Sequence, residues 1–271
     1  MKKSLRTEFD SVDRSGDPSD FVQYLDITRA TDFFQEIKRR TFGLMDLRPG
    51  QNVADIGCGT GEEVRALAAK VGPSGRAVGL DISSTMIATA KERSRKGNAN
   101  VDFVQGDVKQ LPFKDECFDA IRAERLLQHT PDAESALREM ARIVKPGGRM
   151  VSWEADLDLF LIDATDYRTS RIMQRFICDS FHNGSIGHRL YRHFLDFGFV
   201  AVRSTPVVRN FTDFPLIENA FDLTASVERA VKQNLLHVDQ AMLWLDSLRS
   251  ANHSGHFISA IGGFITFGRK A

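Results

Sequence analysis

The chain has 271 residues, is 42% hydrophobic and carries 36 basic against 36 acidic side chains. That length suits one large α/β domain with elaborations. The zero formal charge speaks against a surface built to grip nucleic acid, which needs a basic surplus. Three widely spaced cysteines, Cys58, Cys117 and Cys178, form neither a CxxC pair nor a Cys/His cluster. No metal is therefore expected, and free thiols in a reducing, cytoplasmic setting are.

The opening "SLRTEFDSVDRSGD" is polar and lacks the apolar stretch of a signal peptide. No apolar run has the length of a membrane span, so no membrane association is expected. Residues 1–19 read as a mobile, turn-rich leader with nothing to bury. A helical pattern carrying Phe21, Leu25, Phe33, Phe34 and Ile37 runs from about Asp20 to Gly43, and Pro49-Gly50 breaks the chain after it. The elements then alternate: strand "NVADIG", helix "EEVRALAAKVG", strand "RAVGLDIS", and helix "STMIATAKERSRKG" ending at Gly97. Strands "VDFVQGD" and "CFDAIRA", helix "AESALREMARIVK" and strand "GRMVSWEA" follow. Repetition at this spacing predicts a parallel sheet, and right-handed crossovers place helices on both of its faces. Further on, helices are expected over 164–181, 187–198, 214–233 and 238–251, with a strand at "FVAVRSTPVV". A last strand closes the chain, and Gly262-Gly263 within it suggests a bulge or bend.

The stretch "VADIGCGTGEE" carries the strongest signal. Ligands of open parallel sheets bind at the carboxyl ends of the strands. Gly57, Gly59 and Gly61 let backbone approach a ligand and adopt positive φ. The spacing is GxGxG, and Glu62 stands where the dinucleotide fingerprint has its third glycine. Glu62 and Glu63 suit the positive end of the following helix but oppose a pyrophosphate placed there. No Lys-Ser or Lys-Thr follows, so the Walker pattern is absent as well. Asp81 ends the second strand, where a carboxylate can accept both ribose hydroxyls. Asp107 ends the third, where it can accept from an adenine amino group, and Asp55 can face an ammonium. Together these acids describe a pocket for a cationic adenosine derivative.

At this point the chain resembles the class I S-adenosylmethionine-dependent methyltransferases of the small-molecule, methyltransferase type 11 or UbiE-like group. "VADIGCGTG" is similar to the family's first motif, "GLDIS" to its acidic second and "GDVKQLPF" to its third. "FDAIRAERLLQHTPD" resembles the fourth, and "LREMARIVKPGGRMV" the helix, turn and strand beyond it. The likeness covers about residues 40–155 and continues loosely to the end. It implies a Rossmann-like, doubly wound, seven-stranded, mostly parallel sheet with helices on both faces and an added helical lid. A single methyltransferase domain would span 1–271, with an N-terminal helical cap at 1–45 and the cofactor-binding half at 46–155. Lid insertions would fall at 156–185 and 212–252.

The resemblance also implies roles. Asp55, Gly57, Cys58 and Gly59 would line the methionine end of the cofactor, and Asp81 would hold its ribose. Ile82 and Met86 would pack on the adenine, which Gly106, Asp107 and Val108 would edge. The Ala123 backbone would meet the amino group with Gln128 close by, and Tyr24 and Arg29 would close over the carboxylate. Glu124 and Arg125 depart from the small residues common at their place; they read as a salt-bridged pair or as part of the acceptor site.

Methyl transfer from a sulfonium needs mainly in-line positioning, and a base where the acceptor must lose a proton. The candidate bases are Glu154 and Asp156, at the end of the fifth strand, and His129, His182 and His188. His129 has packing as its alternative role, and the other two histidines flank the loop "NGSIG". The leading expectation is methyl transfer to O, N or C of a small molecule, such as a natural-product intermediate. The competing readings are an RNA or protein methyltransferase, a nicotinamide oxidoreductase and a non-catalytic cofactor-binding module. "KERSRKG" is the one basic run, and it reads more simply as a solvated helix end. The oligomeric state stays open, with a homodimer as one option.

Overall fold

A computed structural model describes residues 9–15, 17–95 and 100–271. The expected leader over 1–8 and the expected helix end at Gly97 lie outside the described residues. Strands β1 (Asn52–Ile56), β2 (Arg76–Asp81), β3 (Val101–Gln105), β4 (Phe118–Glu124), β5 (Val144–Ile162), β6 (Phe199–Phe211) and β7 (Ser259–Lys270) form one sheet. Their order is β3-β2-β1-β4-β5-β7-β6. The first five pair in parallel, and β7 runs antiparallel to both β5 and β6. The seven-stranded, mostly parallel sheet expected from sequence is therefore present.

Side-chain alternation divides the core in two. Ala54, Ile56, Ile121 and Ala123 face α5 (Ala133–Ile143) and α7 (Ile186–Asp196). Val53, Ala77, Ala120 and Val151 face α2 (Asp32–Met45), α3 (Glu62–Val71) and α4 (Ser84–Ser94). Both faces of the central strands are thus buried, which is why they read as near-continuous apolar runs. A third core lies beyond the sheet's carboxyl edge. There α6 (Tyr167–Asp179), α8 (Phe214–Phe221), α9 (Leu223–Lys232) and α10 (Val238–His253) pack around Trp244, Phe160 and Phe257. The buried Trp244 indole N–H donates to Ser170 Oγ at 2.9 Å.

Three expectations need correction. The single helix read from Asp20 to Gly43 is two, α1 (Pro18–Arg29) and α2, parted where Thr31 takes extended backbone as the N-cap of α2. The helix expected over 214–233 breaks at Asp222, which adopts the left-handed φ of 46° and joins α8 to α9. The described part of the expected leader is not idle: Val12 is buried with Phe21 and Met86. The interruption suggested by Gly262-Gly263 falls beside a register shift that β5 carries between Asp156 and Leu161. Gly263 is needed there, because a Cβ would lie 2.3 Å from the Glu154 carbonyl oxygen. Among the described residues no helix is long and apolar enough to cross a membrane.

Candidate functional site

Strand order reverses between β1 and β4, and the carboxyl ends of β1 to β4 surround a cavity of about 350 Å³. That is within the range of small-molecule sites. The glycine loop forms its floor. Gly57, Gly59 and Gly61 take φ of 77°, 49° and 73°. The N–H groups of Gly57 and Cys58 donate to the Leu80 carbonyl at 2.7 and 2.9 Å, which ties the loop to β2. Asp81 completes the turn: Oδ2 accepts from Gly59 N–H at 2.8 Å and Oδ1 from Ser83 N–H at 3.0 Å. Burial raises its pKa, working against those two bonds.

Eleven of the proposed cofactor residues line this cavity: Arg29, Asp55, Gly57, Cys58, Gly59, Asp81, Ile82, Met86, Gly106, Asp107 and Val108. Tyr24, Ala123 and Gln128 do not appear on its wall. Ala123 is fully buried in the sheet core. Gln128 Nε2 lies 2.9 Å from His129 Nε2, and its Oε1 is buried without a hydrogen-bond partner.

A buried charge cluster that sequence reading missed lies beside the loop. Arg122 pairs across β1–β4 with Asp55, its register partner, at 3.1 Å. Its other terminal nitrogen bonds Glu124, and its Nε is buried without a partner. Burial pushes the Asp55 carboxyl up to about 7, against the pull of Arg122. Glu63 lines the cavity and lies 3.1 Å from Lys38. Burial alone would raise Glu63, but Arg122 and Lys38 hold it below its usual value. Glu62 is shared by Arg29 at 2.6 Å and Arg65 at 2.5 Å. The alternation of Ala120, Arg122 and Glu124 along β4 was the available signal, since it puts two charges on a face shared with Asp55.

The chain before α1 forms one wall of the cavity. Asp13 accepts from the Ser83 and Ser84 hydroxyls at 2.6 and 2.8 Å, and from the Ser84 and Thr85 N–H groups at 2.7 and 3.2 Å, capping α4. Phe9 packs on His129 with ring centroids 5.3 Å apart, and Phe181 packs on the same imidazole at 5.6 Å.

The catalytic candidates separate. His129 lines the cavity, and burial together with the charge of Arg125 pushes it down to about 3, so it is neutral at physiological pH. Glu154 lies outside the lining. It accepts from the N–H groups of Leu126 and Leu127 at 3.1 Å each and of Gln128 at 3.3 Å. Asp156 is buried beneath the start of α7 and accepts from His188 N–H at 2.6 Å and Nδ1 at 2.7 Å. Donor atoms of Asp156, Asp158 and His188 lie within 4.8 Å of one another. His182 is exposed and reaches Asp10 at 3.2 Å. Glu124 and Arg125 form the expected ion pair, a long one at 3.9 Å to Oε1, because Arg122 binds the other oxygen of the same carboxylate.

The comparisons with known proteins agree with this geometry. The family profile described as a methyltransferase domain matches residues 47–194. An uncharacterised 37.1 kDa protein of transposon TN4556 from Streptomyces fradiae is 37% identical over 243 residues, covering 89% of this chain and 69% of that one. The ubiquinone/menaquinone biosynthesis C-methyltransferase UbiE of Ectopseudomonas mendocina is 44% identical over 119 residues, covering 43% of this chain and 46% of the relative. The alignments thus span about half the length of such quinone enzymes. Among solved structures, phosphoethanolamine N-methyltransferase 2 of Haemonchus contortus, crystallised with phosphomonomethylethanolamine and S-adenosylhomocysteine, shares the fold. It has a TM-score of 0.59 and 17% identity, covering 99% of this chain and 60% of that one.

Proposed function

Because the chain belongs to the methyltransferase-domain family of S-adenosylmethionine-dependent enzymes, we propose that it methylates a small-molecule acceptor from a donor seated on the β1–β4 edge. The carrying observation is that Asp81, locked to the Gly59 backbone, stands on the wall of the cavity beside the glycine loop. In this reading Asp81 holds the ribose, while Ile82, Met86, Gly106, Asp107 and Val108 surround the adenine. Asp55, Gly57, Cys58 and Gly59 take the methionine end, with Tyr24, Ala123 and Gln128 supporting it from behind the wall. The donor, once bound, supplies a methyl group already activated on a positively charged sulfur.

The chain's own residues then have limited tasks. The glycine loop and Asp81 orient the nucleoside, and rigid placement accounts for much of the rate. Phe9 and Val12 exclude water from the cavity mouth. His129, neutral because it is buried, can share a hydrogen bond with the acceptor but is too weak a base to hold its proton. Glu154 and Asp156 act behind the wall as fasteners of backbone. The segments 1–45, 46–155, 156–185 and 212–252 serve as cap, cofactor half and lid, and the contact of Phe181 with His129 supports a lid role for the first insertion. A small acceptor is favoured by the modest size of the cavity, by the balanced charge and by the quinone methyltransferases among the relatives.

The test is transfer of label from methyl-labelled S-adenosylmethionine into host extract, split into small-molecule and macromolecular fractions. Label in the small fraction is expected. Label in protein or RNA instead would overturn the acceptor class. Intact binding of S-adenosylhomocysteine with no label anywhere would favour a non-catalytic module.

A further inference from the structure

We propose that Arg125 is the anion anchor of this cavity, holding a carboxylate or similar oxyanion carried by one of the two reactants. This rests on the donor-site reading above. Most other cations on the wall are already paired. Arg29 is held by Glu62 at 2.6 Å, Lys38 by Glu63 at 3.1 Å, and Arg122 by Asp55 and Glu124. Lys109 reaches Asp107 at 3.5 Å, and Arg14 is exposed. Arg125 lines the same cavity. Among the described residues its ion pair is the long one, 3.9 Å from Nε to Glu124 Oε1, and Arg122 holds Oε2 of that carboxylate, so Arg125 is the least engaged of the half-buried cations here.

The Arg125 side chain is only 17% exposed. A guanidinium withdrawn this far from water is costly unless its donors find acceptors. A planar carboxylate matches its fork of N–H groups. The guanidinium carbon stands 4.4 Å over the Phe34 ring, a cation–π contact that holds the side chain against the wall. The backbone takes φ of 53°, uncommon for a non-glycine residue. Its N–H is pinned to the Trp153 carbonyl at 2.9 Å, so the turn is held in place.

Arg29 is the residue that sequence resemblance put over the donor's carboxylate. Its engagement with Glu62, itself shared with Arg65, leaves Arg125 the better prepared of the two.

The experiment compares wild type, Arg125→Met and Arg125→Lys, each checked for an unchanged melting temperature. Calorimetry uses S-adenosylhomocysteine and methylthioadenosine, which keeps the nucleoside and sulfur but lacks the amino-acid portion. If the anion is the donor's own carboxylate, Arg125→Met weakens S-adenosylhomocysteine about ten- to hundredfold. Methylthioadenosine is then unaffected, and Arg125→Lys restores part of the loss, keeping the charge without the fork. If the acceptor carries the anion, both affinities stay unchanged. The labelled small-molecule product is then retained on an anion exchanger at about pH 8, and its formation falls in Arg125→Met. Unchanged S-adenosylhomocysteine affinity together with an unretained product, or one formed equally well by Arg125→Met, overturns the proposal. Failure of the wild type to bind S-adenosylhomocysteine at all would overturn the donor reading first, and this proposal with it.

Discussion

Replacing Glu154 by Gln separates a base from a fastener. Sequence position favours a base, since Glu154 ends the apolar part of a strand on the ligand edge. The geometry is that of a clamp: Oε1 accepts from Leu126 and Leu127 N–H and Oε2 from Gln128 N–H. Glutamine can keep the first two bonds, but its amide would face the third N–H donor to donor. Against the ionised carboxylate this forfeits one charge-assisted bond, roughly 1–3 kcal/mol; against the protonated acid, whose O–H faces the same N–H, it forfeits none. In a chain of this size each kcal/mol lowers the melting temperature by about 2–4 °C.

The pH dependence sharpens this. An unfolded glutamate titrates at 4.5, and burial pushes Glu154 up to about 7 in the fold. Between those values the folded chain holds a proton that the unfolded chain has released. Stability therefore falls as pH rises through this window and levels off above about 7. The interval of about 2.5 pH units (7 minus 4.5) corresponds to roughly 3 kcal/mol at most. Glutamine removes this dependence, although Asp55, also pushed up to about 7, retains its own share. Thermal melts should show Glu154→Gln, which mimics the protonated acid, close to wild type near pH 4.5 and above it near pH 8, on the two sides of the window. Turnover should change by less than about tenfold, whereas removal of a general base costs about 10²–10⁴. A hundredfold loss of kcat with matching melting curves would refute the clamp and restore the base.

The other expectations can be checked in the same protein. Asp81→Ala should weaken S-adenosylhomocysteine binding by roughly 1.5–3 kcal/mol through the loss of charge-assisted hydrogen bonds, read by calorimetry; unchanged affinity would sink the ribose assignment. Arg122→Met leaves Asp55 and Glu124 buried without their cation and should destabilise the fold by roughly 3–5 kcal/mol. Adding Glu124→Gln should recover part of that in urea melts, and purely additive losses would count against the cluster. Asp13→Ala uncaps α4 at a cost of roughly 1–2 kcal/mol; hydrogen exchange of the Ser84 and Thr85 amides should speed up, and unaltered protection would contradict the capping role.

What could be read from sequence was local. Gly57, Gly59 and Gly61 fall at fixed offsets from a β-branched run, and Asp81 ends the next strand, so spacing alone placed them on one edge. Alternation along β1 and β4 likewise placed the core. What failed depended on partners distant in the chain. Asp13 caps a helix about seventy residues away, and a polar stretch gives no hint of that. The helix break at Asp222 rests on one left-handed residue that composition does not single out. Glu154 looks the same in sequence whether it faces a cavity or three backbone N–H groups. Its role follows from the turn at Leu126–Gln128, whose path tertiary packing decides.

The two glutamates after the glycine loop show how such partners change an argument. From sequence they oppose a pyrophosphate by bare charge. In the fold neither is bare: Arg29 and Arg65 hold Glu62, and Lys38 and Arg122 hold Glu63. Gly61 contributes in a different way. A Cβ there would lie 2.4 Å from the Phe103 ring, so its absence lets α3 close on the sheet. That close packing is the task of the third glycine in a dinucleotide loop. The helix can therefore begin at Glu62, and its first turn carries the chain's own carboxylates. The positive helix end that would receive a phosphate is supplied from within, and the surrounding cations keep those acids ionised. A phosphate would have to displace a paired carboxylate to reach it. A ligand whose charged end is cationic need not, and the loop's preference follows from an occupied position as much as from repulsion.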